Sequence, residues 1–298
     1  MRKIIVLFVL TIAVSIYVVT PYIDSAPYEV RVDSRGVPIV DYDWLMGRYI
    51  GEQRYPVTIA DYADKNYKYY VETGDEAYLQ RFYANFDWLE TNKVVKDGYV
   101  VFPVGFDYPF YGCKAGWTSA MAQGLTLKNY LHAYELSDNE SYLKTARSII
   151  KSFNVKIEAG GVLYVDPADG GYWYAEYGCD NSPRVLNGFW FALDGLHEYY
   201  NSTGDAEALA LYLRGLEELN HHLPDFDSGS WTYYDLGAYP SDHVYHNLNV
   251  QIMRELYNQT GDELYYEYGD RWSKYNYSSF RFGRMLTKNL IRRFLVTF

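Results

Sequence analysis

Four stretches of this chain repeat one degenerate pattern: ETGDEAYL (72–79), LSDNESYL (136–143), STGDAEAL (202–209) and QTGDELYY (259–266). In this pattern a glycine ends one helix, and an Asp or Asn caps the next helix, which carries acidic residues in its first turn. Each copy is therefore expected at the turn of a helical hairpin.

Apolar residues recur at helical spacing on both sides of each copy. Around the first copy they include Ile59 and Ala63 before the turn, and Phe82 and Phe86 after it. The copies recur roughly every sixty residues, and one hairpin cannot bury its apolar face alone, so the hairpins must stack. The sequence predicts a mainly α fold, an α/α toroid or incomplete barrel of about four helical hairpins.

Short β-like segments interrupt the helical pattern. They are expected at 98–106, in a hairpin at 161–177 and in a short strand at 231–236, with a further small N-terminal hairpin at 28–42. The three internal insertions fall at the same phase of the repeat, so we expect them at one mouth of the toroid. The helix after the second insertion is predicted to have Ser182 as its N-cap and Pro183 as its first residue.

Composition limits the class of protein and of ligand. The 298 residues are 49% hydrophobic, which is enough for one large core. The formal charge of −11 argues against a nucleic-acid partner, which needs clustered Lys and Arg. It also makes a heavily sulfated polyanion an awkward ligand.

The N-terminal sequence predicts an export signal. Arg2 and Lys3 precede a charge-free apolar run at 4–19, short for a membrane span and long enough for a signal sequence. We expect an uncleaved signal anchor with the body outside the cytoplasm; a cleaved signal peptide is the alternative. Four N-glycosylation sequons agree with an exported glycoprotein and begin at Asn139, Asn201, Asn258 and Asn276.

Two further features leave alternatives open. Cys113 and Cys179 are the two cysteines, and they form one disulfide in an oxidising compartment or remain as buried thiols. The C-terminal stretch 276–298 is basic and amphipathic, which fits a final packing helix or a helix on a membrane surface. The sequence does not decide the oligomeric state.

The candidate chemistry lies in three insertions that interleave aromatic residues with carboxylates, imidazoles and amides. They contain GWTSAMAQG (116–124), YWYAEY (172–177) and GSWTYYDLGAYPSDHVYHNLNVQ (229–251). The sequence contains no zinc-binding signature, P-loop, dinucleotide fingerprint or serine-nucleophile elbow. An aromatic cleft with this polar complement is typical of a carbohydrate site.

These motifs carry a family resemblance. GWTSAMAQG (116–124), AEYGCDNSPRVLNGFWFALDGL (175–196) and LPDFDSGSWTYYDLGAYPSDHVYHNLNVQIM (223–253) closely resemble the C-terminal domain of D-glucuronyl C5-epimerases, with the same order and similar spacing. The resemblance covers roughly residues 98–272. It implies conversion of D-glucuronate to L-iduronate within a glycan and an α/α toroid, in agreement with the repeat.

The resemblance also assigns site residues. It implies that Tyr177, Tyr234 and Tyr245 are catalytic or substrate-contacting, and Glu176, beside the first of them, is predicted to be catalytic as well. We interpret Tyr177 and Tyr245 as an opposed acid–base pair across C5 and Tyr234 as a supporting residue. Predicted ligands of the sugar and its carboxylate are Trp117, Gln123, Asn187, Arg184, His246 and His243.

A phenol needs help to act as a base, because its ordinary pKa is about 10. We therefore expect nearby cations or hydrogen-bond donors to lower the pKa of one tyrosine. The candidate cations are Arg184, Lys114, His243 and His246. The mechanism requires no cofactor, and no metal is expected.

Two departures bear on the substrate. Gly237 stands where the heparan enzymes carry a basic residue, and the portion before Gly98 is shorter than their β-rich part. Together with the acidic charge, this favours an unsulfated or differently built uronate polymer. A polysaccharide lyase using the same carbanion and a non-catalytic glycan-binding toroid are the alternative functions.

We accordingly divide the chain into four parts: a signal segment at 1–26, an N-terminal hairpin with the first helical pair at 27–97, the epimerase-like part at 98–275, and a basic tail at 276–298.

Overall fold

In the computed structural model, residues 29–179 and 182–275 are described. Four helical hairpins form the body, as the repeat predicts. The hairpins are α1 (Pro56–Thr73) with α2 (Glu76–Asn92), α3 (Ala120–Ser137) with α4 (Glu140–Lys151), α5 (Leu186–Thr203) with α6 (Ala206–His222), and α7 (His243–Thr260) with α8 (Glu263–Ser273). The predicted export segment, the basic tail and the sequon at Asn276 lie outside the described residues.

The repeated pattern lies at the turn inside each hairpin. A side-chain oxygen caps each second helix by accepting N–H groups from its first turn, and the capping residues are Asp75, Asn139, Asp205 and Asp262. The residue that closes each first helix is left-handed, and these residues are Gly74, Asp138, Gly204 and Gly261. Asp138 is the exception to glycine, with φ of 53°.

Helices α1, α3, α5 and α7 pack side by side as the inner layer, and α2, α4, α6 and α8 pack outside them. Two glycines allow α3 and α5 to touch through their backbones. A Cβ at Gly195 would lie 2.3 Å from the carbonyl oxygen of Gly124, and a Cβ at Gly124 would lie 2.3 Å from the carbonyl oxygen of Phe191. No larger residue fits either position without separating the helices.

The strands are short and antiparallel. An N-terminal sheet has the order β1–β2–β5, and three hairpins pair β3 with β4, β6 with β7 and β8 with β9. Their bounds are β1 Glu29–Val32, β2 Pro38–Asp41, β3 Trp44–Leu45, β4 Arg48–Tyr49, β5 Glu52–Gln53, β6 Val94–Lys96, β7 Tyr99–Val101, β8 Leu163–Val165 and β9 Tyr172–Tyr174. The predicted hairpins at 28–42 and 161–177 are confirmed.

Two local predictions are wrong, namely the strand at 231–236 and the start of helix α5, and a third, the β segment at 98–106, is confirmed only in part. Residues 231–236 form isolated β-bridges rather than a strand, and in 98–106 only Tyr99–Val101 is a strand. Helix α5 begins at Leu186 and not at Pro183, and Ser182 donates its hydroxyl to the Tyr177 carbonyl 2.7 Å away. Ser182 and Pro183 match the pattern of a helix start, but the hydroxyl of Ser182 is bonded to the backbone of the preceding loop instead of capping the helix.

Every insertion precedes an inner helix, so the loops gather at the N-terminal ends of α1, α3, α5 and α7, as predicted. Backbone bonds join them: Gly178 N–H donates to the Thr118 carbonyl, and Leu186 N–H donates to the Tyr234 carbonyl. One mouth of the toroid therefore carries all three predicted motif segments. Within residues 29–179 and 182–275, no helix has both the length and the apolar character to cross a membrane.

Candidate active site

An aromatic cluster fills this mouth, and Tyr177 stands at its centre. Its ring stacks on Tyr108 and Trp117 at centroid distances of 5.0 and 5.5 Å, and it lies 4.7 Å from the ring of Tyr111. Its hydroxyl oxygen lies 3.4 Å from that of Tyr234. Residues from two separate insertions thus place two phenols within contact of each other.

Tyr234 in turn contacts Tyr245. Their ring centroids are 4.7 Å apart and the rings meet edge to face. Tyr245 lies in the first turn of α7, where its N–H donates to the carboxylate of the N-cap residue Asp242 at 2.8 Å. The structure therefore brings together the three tyrosines that the sequence singled out, with Tyr234 touching both of the others.

A buried pair missed at the sequence level supports this cluster. The hydroxyl of Tyr111 donates to Asp235 Oδ2 at 2.9 Å, and Asp235 is almost fully buried. A disulfide between Cys113 and Cys179 ties the loop that carries Tyr111 to the loop that follows Tyr177, and it decides between the two alternatives for the cysteines. The available signal was the position of Asp235 directly after Tyr234.

Glu176 lies behind the phenols and is buried. Burial raises the pKa of Glu176 to about 7, although hydrogen bonds from the Tyr177 side chain and the Gly188 N–H favour its ionised form. Helix α5 has no cap from its own N-cap residue Val185, so the carboxylate of Glu176 takes that place. Within the described residues, its Oε2 atom has no hydrogen-bond partner.

Gly188 makes this approach possible. A Cβ at this position would lie 2.3 Å from Glu176 Oε2 and 2.4 Å from Glu176 Cβ, closer than real side chains come. Glycine is unfavourable inside a helix by about 1 kcal/mol relative to alanine. Its presence in the first turn of α5 is explained by the carboxyl group packed against it.

The electrostatics of the phenols oppose ionisation. Burial raises the pKa of Tyr177 and of Tyr234 well above 10, and the charge of Glu176 raises each further. Burial also raises the pKa of Tyr55, which packs on Trp117. The expectation that a cation lowers the pKa of one of these tyrosines is therefore wrong for Tyr177 and Tyr234.

Comparison with known proteins identifies the family. The family model described as the D-glucuronyl C5-epimerase C-terminus matches residues 96–274. A D-glucuronyl C5-epimerase of Caenorhabditis elegans is 33% identical over 223 residues, 68% of this chain. The chain belongs to the D-glucuronyl C5-epimerase C-terminus family. It spans 36% of the length of the worm enzyme.

Two further relatives extend the comparison of this C5-epimerase family member. An uncharacterized protein of Methanocaldococcus jannaschii is 34% identical over 262 residues, which cover 83% of this chain and 85% of that protein. Among solved structures, a sugar epimerase from a ruminal bacterium has a TM-score of 0.54 and 14% identity, with 82% of this chain and 64% of that chain covered.

A second solved structure is the GH76 α-mannanase BT2949 of Bacteroides thetaiotaomicron, with a TM-score of 0.51 and 13% identity over 81% of this chain and 62% of that chain. At these identities the likeness shows the fold alone, and it supports the α/α toroid. Membership of the family supports a carbohydrate epimerase, an isomerase, at the level of enzyme class.

The cations that the sequence offered to this epimerase-family site are used elsewhere. Arg184 pairs with Asp166 at 3.1 Å and with Asp169 at 3.2 Å. Lys114 is exposed and lies 3.4 Å from Asp107. The guanidinium of Arg184 and the ammonium of Lys114 thus belong to ion pairs with aspartates of the loops.

The two histidines both pack against Trp231. His246 is buried, stacks on Trp231 at 3.6 Å and lies 3.0 Å from the hydroxyl of Thr232. Burial lowers the pKa of His246 to about 4, so its ring is neutral at pH 7 and supplies no positive charge. His243 is exposed on the first turn of α7 and meets Trp231 edge to face.

The remaining predicted ligands divide into two groups. Gln123 is fully buried, and its amide bonds the backbone of Val100 and Phe102 and the hydroxyl of Ser152, so the structure gives it a structural role. Trp117 stacks on Tyr177 inside the cluster. Asn187 is buried in the first turn of α5 beside Gly188, and its Oδ1 has no hydrogen-bond partner within the described residues.

The part of the chain that the structure describes contains no group of three or more His, Cys, Asp or Glu side chains arranged to hold a metal ion.

Proposed function

We propose that this protein epimerises C5 of hexuronate residues, of the D-glucuronate to L-iduronate type, within a polysaccharide. The observation that carries the proposal is the contact of a buried carboxyl group with a line of phenols. Glu176 is buried next to Tyr177, whose side chain favours the ionised carboxylate, the hydroxyl oxygens of Tyr177 and Tyr234 lie 3.4 Å apart, and the ring of Tyr234 meets that of Tyr245.

The reaction defines what the site must supply. The C5 proton is α to a carboxylate, so its removal leaves an electron pair that spreads onto an already charged group. A base is most effective when its pKa lies near the working pH. Glu176, with a pKa of about 7, meets this requirement, whereas the buried phenols keep their protons.

Tyr177 therefore acts as a relay. As the C5–H bond breaks, its hydroxyl oxygen accepts the proton and its own proton passes to the carboxylate of Glu176. The electron pair stays on C5 and is delocalised onto the uronate carboxylate. Tyr245 then donates a proton to the opposite face of C5, which inverts the centre and leaves a phenolate.

Tyr234 closes the cycle. After inversion the enzyme holds an extra proton on Glu176 and lacks one on Tyr245. The proton passes from Glu176 through Tyr177 to the hydroxyl of Tyr234, 3.4 Å away. Tyr234 meets Tyr245 through the rings, so the last transfer to the Tyr245 hydroxyl runs through a bridging water. The supporting role predicted for Tyr234 is thus the recovery of the starting protonation state.

For the substrate we propose an unsulfated or sparsely sulfated uronate polymer. The chain carries a formal charge of −11, and Arg184 and Lys114 are already paired with carboxylates. Gly237, beside Asp235, lacks the basic side chain of the heparan enzymes. Because carboxylates of the protein already occupy these two cations, the site suits a polymer whose only anions are its own carboxylates.

We also propose that the body lies outside the cytoplasm. The disulfide between Cys113 and Cys179 favours an oxidising compartment. The sequon residues Asn139, Asn201 and Asn258 are exposed. Fractionation of the producing cell, with and without alkylation of free thiols, would place the protein; a fully reduced cytoplasmic form would contradict the proposal.

The decisive experiment is solvent exchange in deuterated buffer, run on a panel of unsulfated and sulfated uronate polymers. An epimerase incorporates deuterium at C5 and produces the C5 epimer without shortening the polymer. A new unsaturated uronate absorbance with falling chain length would instead identify a polysaccharide lyase. Binding with neither exchange nor cleavage would identify a glycan-binding toroid and refute both enzymatic functions.

A further inference from the structure

A second aromatic feature lies outside the line of phenols. The rings of Phe110 and Tyr239 meet edge to face with centroids 5.3 Å apart. Phe110 is half-buried, and Tyr239 keeps 40% of its surface exposed. We call this pair the aromatic ledge. It joins two insertions that reach the mouth of the toroid from different parts of the chain.

Both residues of the aromatic ledge contact residues of the proposed site. The ring of Phe110 lies 4.5 Å from that of Tyr111, which bonds Asp235. The N–H of Tyr239 donates to Asp235 Oδ1 at 3.3 Å, and its carbonyl accepts from the N–H of Tyr234 at 2.6 Å. The ledge is therefore one residue away from the phenols and is held by the same buried carboxylate.

The backbone at the ledge adopts an unusual conformation. Ala238 has φ of 62°, in the left-handed region that a residue with a side chain seldom occupies. Its N–H donates to the Asp235 carbonyl at 3.1 Å, which closes a tight turn before Tyr239. After this turn, the exposed side chain of Tyr239 lies next to the proposed site.

We propose that the ledge is an outer subsite that binds the pyranose next to the uronate being inverted; the proposal rests on the function proposed above. Epimerisation leaves the glycan intact, so the substrate continues beyond the reacting residue on both sides. The C–H face of a pyranose is apolar and packs on an exposed aromatic ring. An uncharged ledge fits a flanking sugar without sulfate groups.

The test compares Tyr239→Ala with Tyr266→Ala, an exposed tyrosine on α8 that contacts only Tyr257 among the ring pairs of the described residues. We expect Tyr239→Ala to raise KM for a long unsulfated uronate polymer about five- to tenfold, with a smaller effect on the shortest oligosaccharide that undergoes exchange. Tyr239→Phe should restore the wild-type KM, because stacking needs the ring and not the hydroxyl. Tyr266→Ala should behave as wild type.

An unchanged KM for the polymer in Tyr239→Ala overturns the subsite. An equal loss on polymer and shortest oligosaccharide also overturns it, because the effect would then be on the site itself. Direct binding of the same polymer, measured by affinity electrophoresis, separates this proposal from the function. If the wild type binds but catalyses no exchange, the epimerase is refuted, while weaker binding by Tyr239→Ala still supports the ledge.

Discussion

The hydroxyl oxygens of Tyr177 and Tyr234 lie 3.4 Å apart, although 57 residues separate them in the chain. Both phenols are held beside the buried Glu176, whose charge raises the pKa of each. In this arrangement protons stay on the phenols and the carboxyl group titrates near neutrality. The cluster can therefore pass protons without forming a free phenolate on the side of Glu176.

Replacing Glu176 by glutamine tests the carboxyl group as the proton acceptor. Glutamine has nearly the same shape and retains an oxygen for the Gly188 N–H, but it cannot take up a proton. We expect C5 exchange to fall by about 10²–10⁴-fold with little change in thermal stability. The matched control is Glu198→Gln. Glu198 lies in the second half of α5, where its carboxylate pairs with Lys128 of α3. Exchange within threefold of wild type in Glu176→Gln would exclude this role.

The pH dependence follows from the same group. Glu176 must be ionised to accept a proton, so activity is present above its pKa and lost as pH falls through about 7. We expect kcat/KM for exchange to drop about tenfold per pH unit below that point. The phenols add no loss at moderately alkaline pH, because their pKa values are raised rather than lowered. A flat profile between pH 5 and 8 would contradict this assignment.

Tyr177 and Tyr245 have different proposed roles, so their phenylalanine variants should behave differently. Tyr177→Phe breaks the relay to Glu176, so both exchange and inversion of D-glucuronate residues should fall by about 10²–10⁴-fold. Tyr245→Phe removes the acid on the other face, so inversion should fall by more than exchange. Separate measurement of C5 deuterium and of the iduronate product checks this. Tyr257→Phe, on α7 outside the cluster, is the control; identical behaviour of Tyr177→Phe and Tyr245→Phe would refute the assignment of faces.

The disulfide is predicted to support both stability and activity. It closes a span of 66 residues, and chain entropy alone assigns such a cross-link about 4 kcal/mol. Paired Cys113→Ser and Cys179→Ser substitutions should lower the melting temperature and reduce exchange, because the loop that carries Tyr108 and Tyr111 loses its tie to Tyr177. Reductant should lower the activity of the wild type and leave the double variant unaffected. Equal melting temperatures would show that the cross-link contributes nothing.

Several site residues were predictable because their motifs are long. Tyr177, Tyr234 and Tyr245 stand in segments that match the family in order and spacing, and the structure brings them together. Asp235 and Tyr111 were missed as a pair, since nothing in the sequence links residues 124 positions apart. Gln123 stands in a matching motif as well, but the structure shows its amide bonded to the backbone of Val100, a contact that the sequence does not reveal.

The expected cations failed for a related reason. Arg184 stands in the motif segment, and a positive charge near a phenol was the simplest way to obtain a base. The fold places two aspartates of the β8–β9 turn on its guanidinium, which leaves the phenols without that charge. The ion-pair partner of a long charged side chain depends on which loop packs beside it in the folded protein.

The sequence by itself determined the helical hairpins, their caps and the collection of the insertions at one mouth, because caps and periodicity act over a few residues. Tertiary structure alone decided the protonation of the site. The pKa of Glu176 depends on burial under rings from three insertions and on the N-terminus of α5, which meets it through Gly188. Burial and opposed hydrogen bonds are properties of residues far apart in the chain, so no local pattern records them.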